Sequence, residues 1–246
     1  MLYANAESSL NINGHLSDPF LIKKSVRQGC PLSMILFIIS QEPLYRMLKF
    51  RLYNYSLKLP NGLLLSKSGY ADDLTVIVTH DEGIRQCFNI IDRFEGATVA
   101  KLNKNKTSIL GIREWPILGL KSLENNCKIL GIVHDVDYLE SVKINWDNIE
   151  TKIMKSIGIL QNRKLTLFQK VLVINCKILA KCWYLSHVYP IPKEYGRRIQ
   201  KILFKYLLGG NYEPINRKTM YLPKGKGGCG IIDIYCKSKS ILFNTF

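Results

Sequence analysis

The apolar positions of the chain follow two different periods. Residues 3–12 read as an extended segment closed by the Asn13-Gly14 turn pair, with a polar loop running on to Asp18. From Pro31 the spacing becomes helical, with Leu32, Ile35, Leu36 and Ile39 at i, i+3, i+4 and i+7, and Pro31 suited to the first turn. Pro43 is expected to kink or end that helix before a second stripe of Leu44, Met47 and Leu48. Short apolar runs at Leu63–Leu65 and Leu74–Val78 read as strands on either side of Tyr70-Ala71-Asp72-Asp73. A helix over 83–96 follows, then strands near 107–112 and 128–133.

Beyond residue 140 the pattern is helical. Ile149, Ile153, Ile157 and Leu160 form one stripe. Leu167, Val171, Ile174, Ile178 and Leu185 form a second, and Ile199, Ile202, Leu203 and Tyr206 a third. These predict a bundle of amphipathic helices with basic outer faces. A glycine-rich stretch, Pro223 to Gly230, interrupts it before a last apolar segment.

Composition is that of a globular protein, with 47% hydrophobic and 22% charged residues. The charge is uneven. Residues 1–150 hold 17 Lys and Arg against 16 Asp and Glu, whereas residues 151–246 hold 18 against only Glu194, Glu213 and Asp233. A lysine-rich coding bias would raise lysine everywhere but would not empty one segment of acids. The distribution therefore points to a basic surface for nucleic acid, with an anionic membrane as the rival.

The 7 cysteines contain no C-x-x-C pair and the 4 histidines are scattered, so zinc-finger spacing is excluded and the thiols read as buried or incidental. The first residues lack the basic start and apolar core of a signal peptide. The apolar runs are shorter than the ~20 residues that span a bilayer. An intracellular chain, cytoplasmic or nuclear, with no membrane partner is expected.

The residues with the clearest chemistry are Asp72 and Asp73. Paired acids between two core strands belong in a tight turn, where carboxylates at the tip of a rigid hairpin can hold Mg²⁺ through oxygen. Upstream, Val26-Arg27-Gln28-Gly29-Cys30-Pro31-Leu32-Ser33 is a glycine turn feeding a helix.

Together these segments resemble a reverse transcriptase of the LINE-like, non-long-terminal-repeat retrotransposon kind. The resemblance rests on VRQGCPLSMILFIISQEPL (26–44), GYADDLTVIV (69–78), AKLNKNKTSIL (100–110) and KILGI (128–132), in that order. The ending YLPKGKGGCGIIDI (221–234) extends it over nearly the whole chain. It implies an α+β fold: a truncated right-hand polymerase palm, an antiparallel sheet with helices, over 1–140. A basic α-helical thumb over 141–210 and a glycine-rich C-terminal extension over 211–246 would follow.

The resemblance also implies roles. Asp72 would be the principal metal ligand and Asp73 a supporting one, for Mg²⁺ or Mn²⁺, in two-metal nucleotidyl transfer from dNTP substrates. Arg27, Gln28, Gly29 and Tyr70 would line the template and nucleotide site. Lys106, with Lys101 and Lys104 as alternatives, would protonate the pyrophosphate leaving group. Leu130, Gly131 and Ile132 would form a primer-gripping turn, and the basic helices would track an RNA template and DNA primer.

One feature of the family has no counterpart. Its palm carries a further metal-binding aspartate in an F-D motif on an earlier strand, and before Gln28 this chain offers only Glu7 and Asp18, in unlike contexts. The expectation is a later palm and thumb whose fingers and front palm belong to a parent polyprotein. The alternative is a catalytically inactive remnant that acts at most as a basic nucleic-acid-binding module.

Overall fold

The computed structural model describes residues 6–22, 29–111, 126–210 and 212–243. These form two units, divided between Thr107 and Ser108.

In the first unit, four short strands open the chain: β1 (Glu7–Ser8), β2 (Asn11–Ile12), β3 (His15–Leu16) and β4 (Phe20–Leu21). β2 and β3 pair across Asn13 and Gly14, both at positive φ (52° and 89°), as the turn pair demands. β1 pairs with β4 outside them. Helix α1 (Pro31–Arg51) starts at the proline and continues past Pro43, so it does not end there. The expected break is absent because Leu44, Leu48 and Leu52 bury themselves immediately after it against Cys87, Ile90 and Phe94 of α2 (Asp81–Ala97). Burying three leucines at about 1.5–3 kcal/mol each outweighs the ~3 kcal/mol that an interior proline costs. The first apolar stripe does form on a helix, but it is not core. Leu32, Ile35 and Ile39 are 44, 55 and 61% exposed.

Between the helices lie β5 (Leu57–Lys58), β6 (Leu64–Leu65), β7 (Lys67–Tyr70) and β8 (Asp73–Val76), paired as β5–β6 and β7–β8. Leu74, Val76 and Val78 pack on the α1–α2 core. One continuous antiparallel sheet was expected. The described strands instead make separate two-stranded antiparallel pairs, and residues 107–111 are not a strand.

The second unit carries β9 (Asn126–Ile129), β10 (Ile132–Asp135) and the helices α3 (Tyr138–Gln161), α4 (Leu167–Val173), α5 (Ala180–Ser186), α6 (Lys193–Leu208), α7 (Arg217–Tyr221) and α8 (Ile234–Phe243). All three predicted stripes lie in its core, with Ile153, Ile174, Ile178 and Ile199 at 0% exposure. A π-turn, Ile174–Ile178, links α4 to α5. The β9–β10 hairpin packs on α3, so by packing it goes with the helices that follow it. No helix among the described residues is long and apolar enough to cross a membrane.

Candidate active-site hairpin and basic surface

The β7–β8 hairpin turns on Ala71 and Asp72, with Tyr70 opposite Asp73. Ala71 sits at φ 51°, a left-handed conformation that a side chain adopts only under strain. Strand alternation sends Leu74 and Val76 to the core and leaves Asp73 on the other face. Tyr70, Asp72 and Asp73 are all exposed, with Tyr70 at 69%.

The hairpin is braced from α1. Gly69 faces Tyr45 so closely that a Cβ on it would collide with the hydroxyl end of the Tyr45 side chain, and Lys67 Nζ lies 4.3 Å from that ring's centroid. Tyr45 was not foreseen as part of this site. The signal was present in Gly69, since a glycine inside a strand marks a close approach.

Gly29 lies at φ 80° just ahead of α1, with open space where a Cβ would be, so its backbone conformation is what calls for glycine. Arg27 and Gln28 lie outside the described residues.

Of the three candidate lysines, Lys101 is set apart by an ion pair, whereas Lys104 and Lys106 are both exposed with none among the described residues. Glu95, on α2, accepts the Leu102 N–H at 2.6 Å and pairs with Lys101 at 3.5 Å. The Leu102 N–H, followed by Lys101 and Lys104, holds the Glu95 carboxyl below the usual range. Lys101 is thereby engaged. Lys106 closes a turn through its N–H to the Asn103 carbonyl, and its side chain is exposed with no ion pair among the described residues.

Leu130, Gly131 and Ile132 form a second strained hairpin turn, with φ 48° at Leu130 and 88° at Gly131. The Leu130 carbonyl accepts the Tyr184 hydroxyl at 2.7 Å, and Ile132 is buried on α3 and its neighbours. Behind the turn, buried Asn145 accepts the Val133 N–H at 3.0 Å and donates to the Val133 carbonyl at 2.6 Å. Ser141 Oγ accepts the Asp135 N–H at 2.7 Å. These two polar residues sit on the apolar stripe of α3, the only trace they leave in the sequence.

The basic segment keeps its acids occupied. Glu194 pairs with Arg198 at 2.8 Å, Glu213 pairs with Arg217, and Asp233 accepts the Tyr235 and Cys236 N–H groups at the start of α8. Along α6, Lys193, Arg197, Lys201 and Lys205 recur every fourth residue, all exposed and none ion-paired among the described residues. Arg198 points elsewhere, tied to Glu150 of α3 at 2.7 Å.

Among the described residues no group of three or more His, Cys, Asp or Glu side chains is placed to hold a metal ion. Asp72 and Asp73 offer the oxygen donors that suit Mg²⁺, but no third described side chain of those types joins them.

Residues 2–134 match the family described as reverse transcriptase (RNA-dependent DNA polymerase). Over 244 residues, 95% of this chain, the sequence is 27% identical to the Transposon TX1 uncharacterized 149 kDa protein of Xenopus laevis. The chain spans 18% of that relative's length.

Proposed function

The chain belongs to the reverse transcriptase (RNA-dependent DNA polymerase) family, and from that premise we propose that it forms the later palm and the thumb of an RNA-directed DNA polymerase of a LINE-like retrotransposon. The observation that carries this is the Tyr70–Asp73 hairpin, two adjacent carboxylates at the tip of a strained, braced antiparallel turn. The partners are an RNA template and a DNA primer, the substrates dNTPs, and the reaction nucleotidyl transfer.

The family uses divalent metal ions. Asp72 and Asp73 supply part of a Mg²⁺ donor set, and the described residues do not complete it. What this chain's own groups do can still be stated. The rigid turn fixes both carboxylates where a primer end and a dNTP would meet, and positioning of this kind carries most of such a reaction. Lys106, with Lys104 as the alternative, is the donor for the pyrophosphate oxygen; neither is ion-paired among the described residues. Gly29 and Tyr70 are the described residues proposed for the template and nucleotide side; Arg27 and Gln28, outside the described residues, are proposed for it on the family resemblance alone. The Leu130–Ile132 turn grips the primer, and the unpaired cations of α6 follow phosphates without reading bases.

Primer extension on a primed RNA template tests this. The isolated chain should give no product with Mg²⁺ or Mn²⁺, because among the described residues the carboxylates proposed for the site come from one hairpin. The chain joined to fingers and front palm in one polypeptide should extend the primer, and Asp72→Ala should abolish that extension. Synthesis unaffected by Asp72→Ala in the joined protein would overturn the assignment.

A further inference from the structure

The glycine-rich segment 223–230 has no part in the function above, yet it is one of the most tightly determined loops in the second unit. Gly228 abuts the Leu222 carbonyl, where a Cβ has no room. Gly227 and Gly230 take φ 78° and 71°. The Asn175 side chain, from the π-turn between α4 and α5, donates to the Gly230 carbonyl at 2.9 Å and accepts the Ile232 N–H at 3.1 Å. The Cys229 and Ile231 N–H groups both reach the Met220 carbonyl.

This bracing presents Lys224 and Lys226, one residue apart and both exposed, beside α4. Lys224 Nζ stands 4.7 Å from the centroid of the Phe168 ring, which is 49% exposed on α4. Arg163 and Lys164 are exposed in the turn that leads into the same helix. None of these four cations has an ion-pair partner among the described residues, and all three acids of residues 151–246 are engaged elsewhere.

We propose that Phe168, with Lys224 and Lys226 of the braced loop and Arg163 and Lys164, is a binding platform for single-stranded nucleic acid. An unpaired base would stack on Phe168 while the lysines and Arg163 take the flanking phosphates. Lys224, which covers the ring in the free protein, moves from the aromatic face to a phosphate. A duplex cannot use the ring, because its bases are already stacked. The inference rests on the reading of this unit as nucleic-acid-binding and names the strand state that this patch prefers.

The test uses the full chain, a fluorescent oligouridylate as the single strand, and a hairpin RNA duplex, titrated at fixed ionic strength. Phe168→Leu should weaken oligouridylate binding roughly tenfold, the scale of one lost base stack, and leave duplex affinity unchanged. Phe168→Trp should retain the affinity and show fluorescence quenching on oligouridylate that wild type lacks. Unchanged single-strand binding by Phe168→Leu, or absent quenching in Phe168→Trp, would overturn the platform. Equal losses on single strand and duplex would also overturn it, reducing the patch to charge. Failure to bind the duplex at all would instead count against the broader reading of the unit.

Discussion

Replacing Asn145 by leucine removes one of the two buried polar side chains, with Ser141, that tie the β9–β10 hairpin to α3 among the described residues. In the native protein its amide satisfies both the N–H and the carbonyl of Val133 and also donates to the Ser141 carbonyl at 2.8 Å. Leucine keeps the branched shape, with somewhat larger tips, but leaves both Val133 groups without their Asn145 partner in a half-buried place. A stranded backbone group costs about 1–3 kcal/mol, so two put the loss near 3–4 kcal/mol once partial access to water is allowed for. The Ser141 carbonyl adds little, because it also takes part in the helix. For a unit of this size the change corresponds to a fall in Tm of about 6–15 °C. Urea unfolding followed by circular dichroism measures the first figure, and amide exchange at Val133 reports whether the hairpin opens locally. A loss below about 1 kcal/mol with Val133 still protected would mean that water or a shifted strand replaces Asn145. The account of how the Leu130 turn is held would then be wrong.

Gly69→Ala should destabilise the first unit by about 1–3 kcal/mol, because the new Cβ displaces Tyr45. Pairing it with Tyr45→Ala should recover part of that loss, a non-additivity read from urea curves of the single and double variants. Burial lowers the pKa of His134, whose Nδ1 lies 3.0 Å from the Tyr189 hydroxyl. The unfolded chain therefore takes up the proton first as the pH falls. The stability from neutral His134 is complete above the ordinary imidazole value of about 6.5 and is lost as the pH drops through the depressed native value. Thermal unfolding between neutral and mildly acid pH should show that loss, and His134→Gln should flatten it.

Legibility from sequence followed the source of each element's order. The three stripes of the second unit were readable because repetition of Ile and Leu at helical spacing specifies a face, and those faces do form its core. The π-turn was not readable. It inserts a residue without breaking the apolar period, and Ile174 and Ile178 lie at its two ends. The first unit misled more. Leu32, Ile35 and Ile39 carry a full helical stripe, yet no described element covers it, since periodicity specifies a face and not what lies against it. The run near 107 has strand composition but no partner strand among the described residues, and pairing is a property of two segments. For the hairpin, adjacent acids between apolar runs were enough to place a turn within Tyr70–Asp73, which the strand pairing narrows to Ala71 and Asp72. The bracing by Tyr45 required knowing which helix lay beneath Gly69.

The non-glycine residues at positive φ are Asn13, Ala71 and Leu130 among the described residues, and each stands at a hairpin reversal. Asn13 adopts that conformation at little cost. Ala71 and Leu130 do not; they occupy the turn singled out by its paired acids and the turn to which the family resemblance assigns a role. An alanine in the left-handed region carries about 1–2 kcal/mol of strain, while its narrower unfolded ensemble returns only about 0.4–1 kcal/mol relative to glycine. Stability alone therefore does not explain alanine at position 71. Glycine there would relieve the strain but widen the range of backbone angles open to the turn that carries Asp72. Each strained turn is also held from outside, the first by Tyr45 against Gly69 and the second by the Tyr184 hydroxyl on the Leu130 carbonyl. Strain persists where the surroundings over-determine a conformation. In each unit the hairpin tip is thereby confined to one backbone conformation, the stiffness that the role proposed for the Asp72 turn requires.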